Sequence, residues 1–403
     1  MRPNPTTDTA VLDGFLGLNN VADPQTGTVT GDGGAVTWQW QHQADNVDLS
    51  DAGRLRRRDG YRPFSPASSI TSSFSTFDFS RLYVIDGGDV RQIHEDGSSS
   101  TLFSGLGGGE AFWAEINGDV LLSGSKKLVL RADGTAAHWG VPVPMGGSLA
   151  DTDGYLDAGE YQVCFTFTDE SGREGGASAS AALNVALGGI LVTDIPADPG
   201  CVTNVYVADR GTVFYLATTL AQGTQAVTIN RPPTGRELVT QFLDAPPAEG
   251  RHVAEFGGRI YMAERLPGAD ASVIWRSEPL GFHLFNLNEG FFMVPGEVTQ
   301  LASARGGPLV ICTRTRTHIY DGESMQTVEY GAVPGQHASR GPDGRLYFWT
   351  ARGLCRAAPF ENLTESRVSV PPGLRAAGGI VQRHGITRYV AVLQSGGAAF
   401  NKR

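Results

Sequence analysis

Six times along this chain a glycine-bearing turn leads into a short apolar strand, a second tight turn and a returning strand. The copies are RLYVIDGGDVRQIHEDG (81–97), NGDVLLSGSKKLVLRADG (117–134), GGRIYMAERLPGADASVIWRSEP (257–279), GGPLVICTRTRTHIYDG (306–322), PDGRLYFWTARGLCRAAPF (342–360) and GITRYVAVLQSGGAAF (385–400). Each reads as a β-hairpin. Within the first half, and again in the last part, they begin about 35 to 50 residues apart, the period of a four-stranded propeller blade. Such a blade cannot bury both faces alone, so blades must stack around an axis and close. The 53 glycines and 22 prolines are spread as turn punctuation, and no stretch of ten or more residues carries helical periodicity, so the chain reads as all-β. Six blades are expected, with the hairpin around residues 35–64 supplying or completing one of them.

The period breaks once. Between HWGVPVP (138–144) and AEGRHVAEFGGRIYM (248–262) lie about a hundred residues of different rhythm, enough for a small β-sandwich. GEYQVCFTFTDESGREGGAS (159–178) offers a long strand with Tyr161, Val163, Phe165 and Phe167 on one face and Gln162, Cys164, Thr166 and Thr168 on the other. In VTNVYVADRGTVFYLATTLAQGTQAVTI (202–229), Val205 and Val207 share one parity and Tyr206 takes the other. A fibronectin type III or immunoglobulin-like module is therefore expected as an insertion, with the proline pairs at 232–233 and 246–247 marking the return. The predicted division is 1–145 for an N-terminal segment and first blades, 146–247 for the sandwich, and 248–403 for the remaining blades.

The net charge of −10 disfavours binding of polyanions by the chain as a whole. The first residues lack the apolar run of a signal peptide and no later run reaches about 18 apolar residues, so a soluble chain made in a cytoplasm, without membrane insertion, is expected. Cys164, Cys201, Cys312 and Cys355 are widely spaced and read as single strand thiols, although pairing of their strands leaves room for Cys164 and Cys201 to approach each other.

Against that acidic background ADNVDLSDAGRLRRRDGYRPF (44–64) gathers Arg54, Arg56, Arg57 and Arg58 after a turn. NVDL reads as a strand, SDAG as a turn and RLRRR as the returning strand. If Leu55 faces inward, Arg57 is partly buried with it and ties this segment to a blade, with Asp45, Asp48, Asp51 and Asp59 as local carboxylates. Arg54, Arg56 and Arg58 then form a solvated or partner-facing stripe. No aromatics interleave with these arginines, so a scaffold or protein interface is favoured over a phosphate grip.

Other patterns are weak. Ser123 and Lys126 have acyl-transferase spacing but fall in a hairpin turn instead of on a helix. GLGGGE (105–110) lacks the Lys and helix of a phosphate loop. Asp151, Asp153, Asp157 and Glu160 cluster around a glycine, yet without the order of a calcium loop, and read as an acidic linker. His42, His94, His138, His252, His283, His318, His337 and His384 show no paired ligand spacing. RADGTAAHW (131–139) has the Asp133, Gly134 and Trp139 of a sialidase turn, at the wrong spacing and only once. No metal and no cofactor is predicted.

FLGLNNVADP (15–24), ADNVDLSDAGRLRRRDGY (44–61) and HWGVPVP (138–144), leading into AGEYQVCFTFTDESGREG (158–175), resemble structural proteins of tailed bacteriophages. More narrowly they are similar to propeller-bearing tail hub or nozzle proteins of the tail tubular protein B type, through 64 N-terminal residues and the propeller-plus-insert plan. The resemblance implies a non-enzymatic virion protein, assembled in the host cytoplasm, forming a ring, commonly a hexamer. It would contact other tail, adaptor or fibre proteins, and DNA would pass without specific binding. At 403 residues the chain is shorter than many nozzle proteins. The implied alternative is a tail-tip receptor- or glycan-binding or fibre-anchoring propeller, with Trp38, Trp40, Trp113, Trp139, Trp275 or Trp349 as stacking platforms. A propeller hydrolase would need carboxylates gathered at one mouth of the channel.

Overall fold

The middle strands of the repeated hairpins are apolar on both faces because each is packed between two neighbours. Val120 and Leu122 join one buried cluster with Tyr83 and Ile85 of the preceding sheet. Leu121, between them, joins another with Ile260 and Met262 of the following sheet. Tyr261 and Ala263 in turn meet Leu309 and Ile311, while Val310 and Cys312 meet Leu346 and Phe348. Alternation along a single strand therefore serves two interfaces, and each fully buried Val, Leu or Ile contributes roughly 1.5–3 kcal/mol. This relay is what stacks the sheets around an axis.

The structure is a computed structural model that describes residues 15–21, 28–30, 36–49, 54–58, 63–67, 69–383 and 386–394. Every regular element among them is a strand. Four blades are antiparallel four-stranded sheets in sequence order, and one more carries an extra strand. The first runs Ile70–Ser75, Leu82–Asp86, Asp89–Ile93, Ser99–Phe103, and the second Phe112–Ile116, Asp119–Ser123, Lys127–Leu130, Ala136–His138. In the third, His252–Phe256, Arg259–Arg265 and Ala271–Glu278 are followed by Gly281–Phe285 and Phe291–Pro295, which both pair with Ala271–Glu278. The fourth spans Val298–Ser303 to Met325–Val328 and the fifth Ser339–Arg340 to Glu361–Asn362. The Asn117–Gly118 turn of the second blade has φ of 50° and 85°, the left-handed pair that a two-residue hairpin loop demands.

The sixth sector is thinner than predicted. Of the predicted hairpin at 385–400 the described part, Ile386–Gln394, is one strand that pairs backwards with Arg375–Arg383, a strand hidden in the sequence by its Gly378–Gly379 pair, and residues 385 and 395–400 lie outside the described residues. One face, with Ala376, Tyr389, Ala391 and Leu393, packs on Val333 and Trp349 of the fifth blade. The N-terminal strands do not extend this sheet. Phe15–Leu18, Val36–Gln41 and Thr28–Thr30 form a separate three-stranded sheet, and Val47–Leu49 with Leu55–Arg57 a separate hairpin. They close the ring through side chains: Asn20 makes two hydrogen bonds with Ser369, of 2.9 and 2.7 Å, and Arg388 binds Asp48. Arg375 pairs with Glu110 across the same seam.

Between the second and third blades sits a seven-stranded sandwich. Its three-stranded sheet has the order Ser148–Asp153, Gly188–Thr193, Ala226–Ile229, and its four-stranded sheet the order Ala181–Val185, Gly159–Asp169, Cys201–Asp209, Tyr215–Leu220. Tyr161, Val163, Phe165, Val205 and Val207 fill the space between them, as their parity predicts. Asp151 and Asp153 belong to the first strand, so this acidic segment is sandwich and not linker. The pairing register sets Cys164 opposite Tyr206 and Cys201 opposite Asp169, five residues away, about 16 Å along the strand. All four cysteines are free thiols: the strands of Cys164 and Cys201 do pair, but in a register that keeps the two apart.

Candidate functional site

The arginine hairpin forms as its sequence predicts, with Val47, Asp48 and Leu49 opposite Arg57, Arg56 and Leu55. Its packing differs. Leu55 is 39% exposed, so the condition for burying Arg57 fails, and Arg54, Arg56, Arg57 and Arg58 are all exposed. The tie to the propeller passes through Asp48 instead, whose carboxylate meets Arg388 at 3.0 Å, Arg58 at 3.4 Å and Arg56 at 3.9 Å. Asp51 and Asp59 lie outside the described residues.

A second arrangement joins sandwich to propeller. Arg173 pairs with Asp169 at 2.7 Å and donates to the backbone carbonyls of Trp139 and His138, both at 2.9 Å. His283 Nε2 lies 3.0 Å from the Glu174 carbonyl, and Asp244 and Phe285 exchange two backbone hydrogen bonds of 2.8 and 2.9 Å. Trp139, fully buried, donates its indole N–H to the Phe282 carbonyl at 2.8 Å. Gly140, Gly175 and Gly176 let the two bodies close up: a methyl on Gly176 would collide with the Leu243 carbonyl, and one on Gly175 with Val141.

Glu174 extends this junction into the sandwich. Its Oε1 accepts from Thr166 Oγ1 (2.5 Å), Tyr206 OH (2.9 Å) and Asn204 Nδ2 (3.0 Å), and its Oε2 from Arg236 at 2.7 Å. Arg236 Nε also donates to Tyr206 OH at 3.1 Å. Burial pushes the Tyr206 phenol up to about 12, which keeps it a donor at neutral pH. The outer face of the four-stranded sheet is thus a satisfied polar network beside an apolar patch of Cys164, Tyr206, Phe214 and Leu238. Sequence parity shows only the alternation here. It does not show that the return segment, through Leu238, covers this face.

Side chains from three blades approach one another at the inner strands of the propeller. The Phe112 ring lies 4.0 Å from that of His252 and 6.0 Å from that of His337. Both histidines keep some surface toward the axial cavities, but protein surrounds them closely enough that desolvation dominates. It lowers His252 to about 3, helped by the His337 and Arg251 charges and opposed by a hydrogen bond with Val298, and lowers His337 to about 4. Both are neutral at pH 7. Nearby, Arg340 lies 3.7 Å over the Phe77 ring and donates to the Ser303 carbonyl at 2.9 Å. Nothing in the chain's local motifs pairs His252 with His337; only closure of the ring does.

The weaker sequence patterns resolve into structural roles. Ser123 donates to the Gly250 carbonyl at 3.0 Å from within a strand, and Lys126 lies in the turn that follows, over Phe103. Asp151 accepts from the amides of Ala186 and Leu187 at 3.0–3.1 Å. Trp113, Trp139 and Trp349 are buried blade core, Trp275 is half-buried with its N–H on Glu264, and Trp40 lies beneath Arg367. The side chain of Trp38 lies outside the described residues.

No family model and no curated protein matches the chain. Among solved structures, it is similar to a chain of the nidogen/laminin complex, with 12% identity over 71% of this chain and 95% of that one at a TM-score of 0.26. A chain of Kuenenia stuttgartiensis hydrazine synthase matches with 9% identity over 83% and 99% at a TM-score of 0.33. Kluyveromyces marxianus Hsv2 matches with 10% over 77% and 85% at 0.30. The fold class stated above rests on the strand pairing and the relay of buried clusters.

Proposed function

We propose that this chain is a non-enzymatic structural protein of a tailed-phage virion, part of the tail hub, nozzle or connector ring through which DNA is ejected. The observation that carries the proposal is the junction at Arg173 and Glu174. An inserted module held only by linkers would swing. This one is fixed to the second and third blades by charge-assisted and backbone hydrogen bonds, giving one rigid body with two projecting faces. A ring built by rotation needs such a unit. The N-terminal residues that resemble the nozzle proteins are the ones that clasp the seam, and their arginines face outward, where a neighbour's acidic groups would meet them.

Because the inner-strand rings of His252 and His337 lie 4.0 and 6.0 Å from that of Phe112, one propeller leaves no bore wide enough for a duplex, and DNA would pass through the centre of a ring of copies. A net charge of −10 favours passage over capture, since a basic wall would hold DNA by releasing its counterions. The purified full-length chain should form rings in negative stain, or join the tail when added to tail-deficient particles. A chain that does neither overturns the proposal.

A further inference from the structure

Between Ala136–His138, the outer strand of the second blade, and the sandwich turns at 169–173 and 198–201 lies a cleft of about 1030 Å³. The strand is a free edge of its sheet. Trp139 and Arg131 donate their amides to the carbonyls of Lys127 and Thr135, so Ala137, midway between these pairs, is the residue that exchanges hydrogen bonds with Val129. Ala136 and His138, opposite Leu130 and Leu128, therefore turn their N–H and C=O groups outward. Outward here means toward the sandwich, because the His138 carbonyl accepts from Arg173. The N–H and C=O of Ala136 and the N–H of His138 meet no partner among the described residues, and both residues line the cleft.

The two walls carry opposite charges that do not meet. Lys126 and Arg131 line the blade side, Glu170 and Asp198 the sandwich side. Lys126 lies over the Phe103 ring and Asp198 has the Cys201 thiol at 3.8 Å, but among the described residues none of the four enters an ion pair. Asp133, also on the blade side, is taken up by the amide and hydroxyl of Thr135. We infer that the cleft holds an extended peptide arm of another protein, bound as an added strand on the Ala136–His138 edge, with acidic side chains toward Lys126 and Arg131 and basic ones toward Glu170 and Asp198. Main-chain groups left open on a sheet edge recognise another main chain, and the charged walls select among peptides. A free edge is otherwise open to indiscriminate pairing, and the sandwich wall beside this one restricts what can approach it. The inference goes beyond the tail reading and does not depend on it.

The probe is a short fluorescein-labelled peptide of alternating Thr and Val with one Glu and one Lys at its ends, titrated against the full-length chain by fluorescence polarisation. A second probe of the same sequence is N-methylated throughout and so has no main-chain donors. Wild type should bind the plain probe with Kd on the order of 10–100 µM, more weakly as salt rises, and should not bind the N-methylated one. Ala136→Pro removes an N–H that points away from its own sheet, so the blade should keep its ladder and its circular dichroism melt while the plain probe binds about tenfold or more weakly. Arg131→Glu and Glu170→Lys should each weaken binding about threefold or more. No saturable binding of the plain probe at about 1 mM, equal binding of the N-methylated probe, or Ala136→Pro binding as well as wild type overturns the inference. If Ala136→Pro melts early, the two probes on the wild-type chain decide. A chain that binds the probe but is absent from phage particles keeps this inference and loses the tail reading, and the reverse result does the opposite.

Discussion

Arg388 of the last hairpin donates to Asp48 of the N-terminal hairpin across 3.0 Å, joining residues 340 positions apart. Asp48 is largely shielded and also holds Arg56 and Arg58, so one carboxylate anchors the clasp that closes the ring. Asp48→Ala should cost about 1–2 kcal/mol, more than a surface pair because Arg388 is left part-buried. Trypsin should then cut at Arg54–Arg58 several times faster at unchanged overall fold. An unchanged cleavage rate would show that the clasp is held elsewhere.

Glu174→Ala removes one acceptor from four donors, three of them on the buried residues Thr166, Asn204 and Tyr206. Asn204 keeps Thr166 and Thr168 as acceptors, so a loss of about 2–4 kcal/mol is expected from the Thr166 and Tyr206 hydroxyls left without theirs, read as a lower urea midpoint. Glu174→Gln keeps one carbonyl acceptor and should fall between the two. Equal midpoints for wild type and Glu174→Ala would refute the network's role.

Arg173→Ala should act on geometry. It deletes the hydrogen bonds to the His138 and Trp139 carbonyls while leaving the sandwich core intact. Small-angle scattering should show a broader distribution of dimensions, with stability lowered by about 1.5–3 kcal/mol. Gly176→Ala, whose methyl meets a backbone carbonyl that cannot move aside, should be worse and express mostly insoluble. A scattering profile identical to wild type for Arg173→Ala would mean that the other contacts alone fix the sandwich.

The axial histidines predict an acid-sensitive core. Their folded values, about 3 and about 4, lie below the ordinary value near 6.5, so the unfolded chain binds more protons between these limits. Stability from His252 and His337 is therefore fully present above about pH 6.5 and is lost as pH falls toward 4. Between pH 7 and 5 the pair should account for a loss on the order of 2–4 kcal/mol. His337→Phe should flatten that dependence in urea titrations at the two pH values, and an unaltered slope would contradict it.

The hairpins were legible because both signals were local: tight-turn glycines, and strands apolar on every residue, as in Leu309–Cys312. The sandwich core followed from parity at Tyr161–Phe167. What sequence concealed depended on long-range closure. Arg375–Arg383 carries two central glycines and so lacks strand character, and among the described residues the six-blade expectation became five full blades and a two-stranded sector. Arg57 looked buried because alternation assigns faces without saying whether either face is covered. The Glu174 network and the His252–Phe112–His337 cluster unite residues from distant segments that share no motif.

The central proposal, that the chain is a fixed structural part of a phage tail, is tested most directly by quantitative mass spectrometry of purified tailed particles of the phage that, on this proposal, encodes it. The account predicts the chain in every particle at a constant small copy number, six for a hexameric ring, retained in isolated tails. Its absence from particles, or a copy number that varies from one preparation to the next, would contradict it.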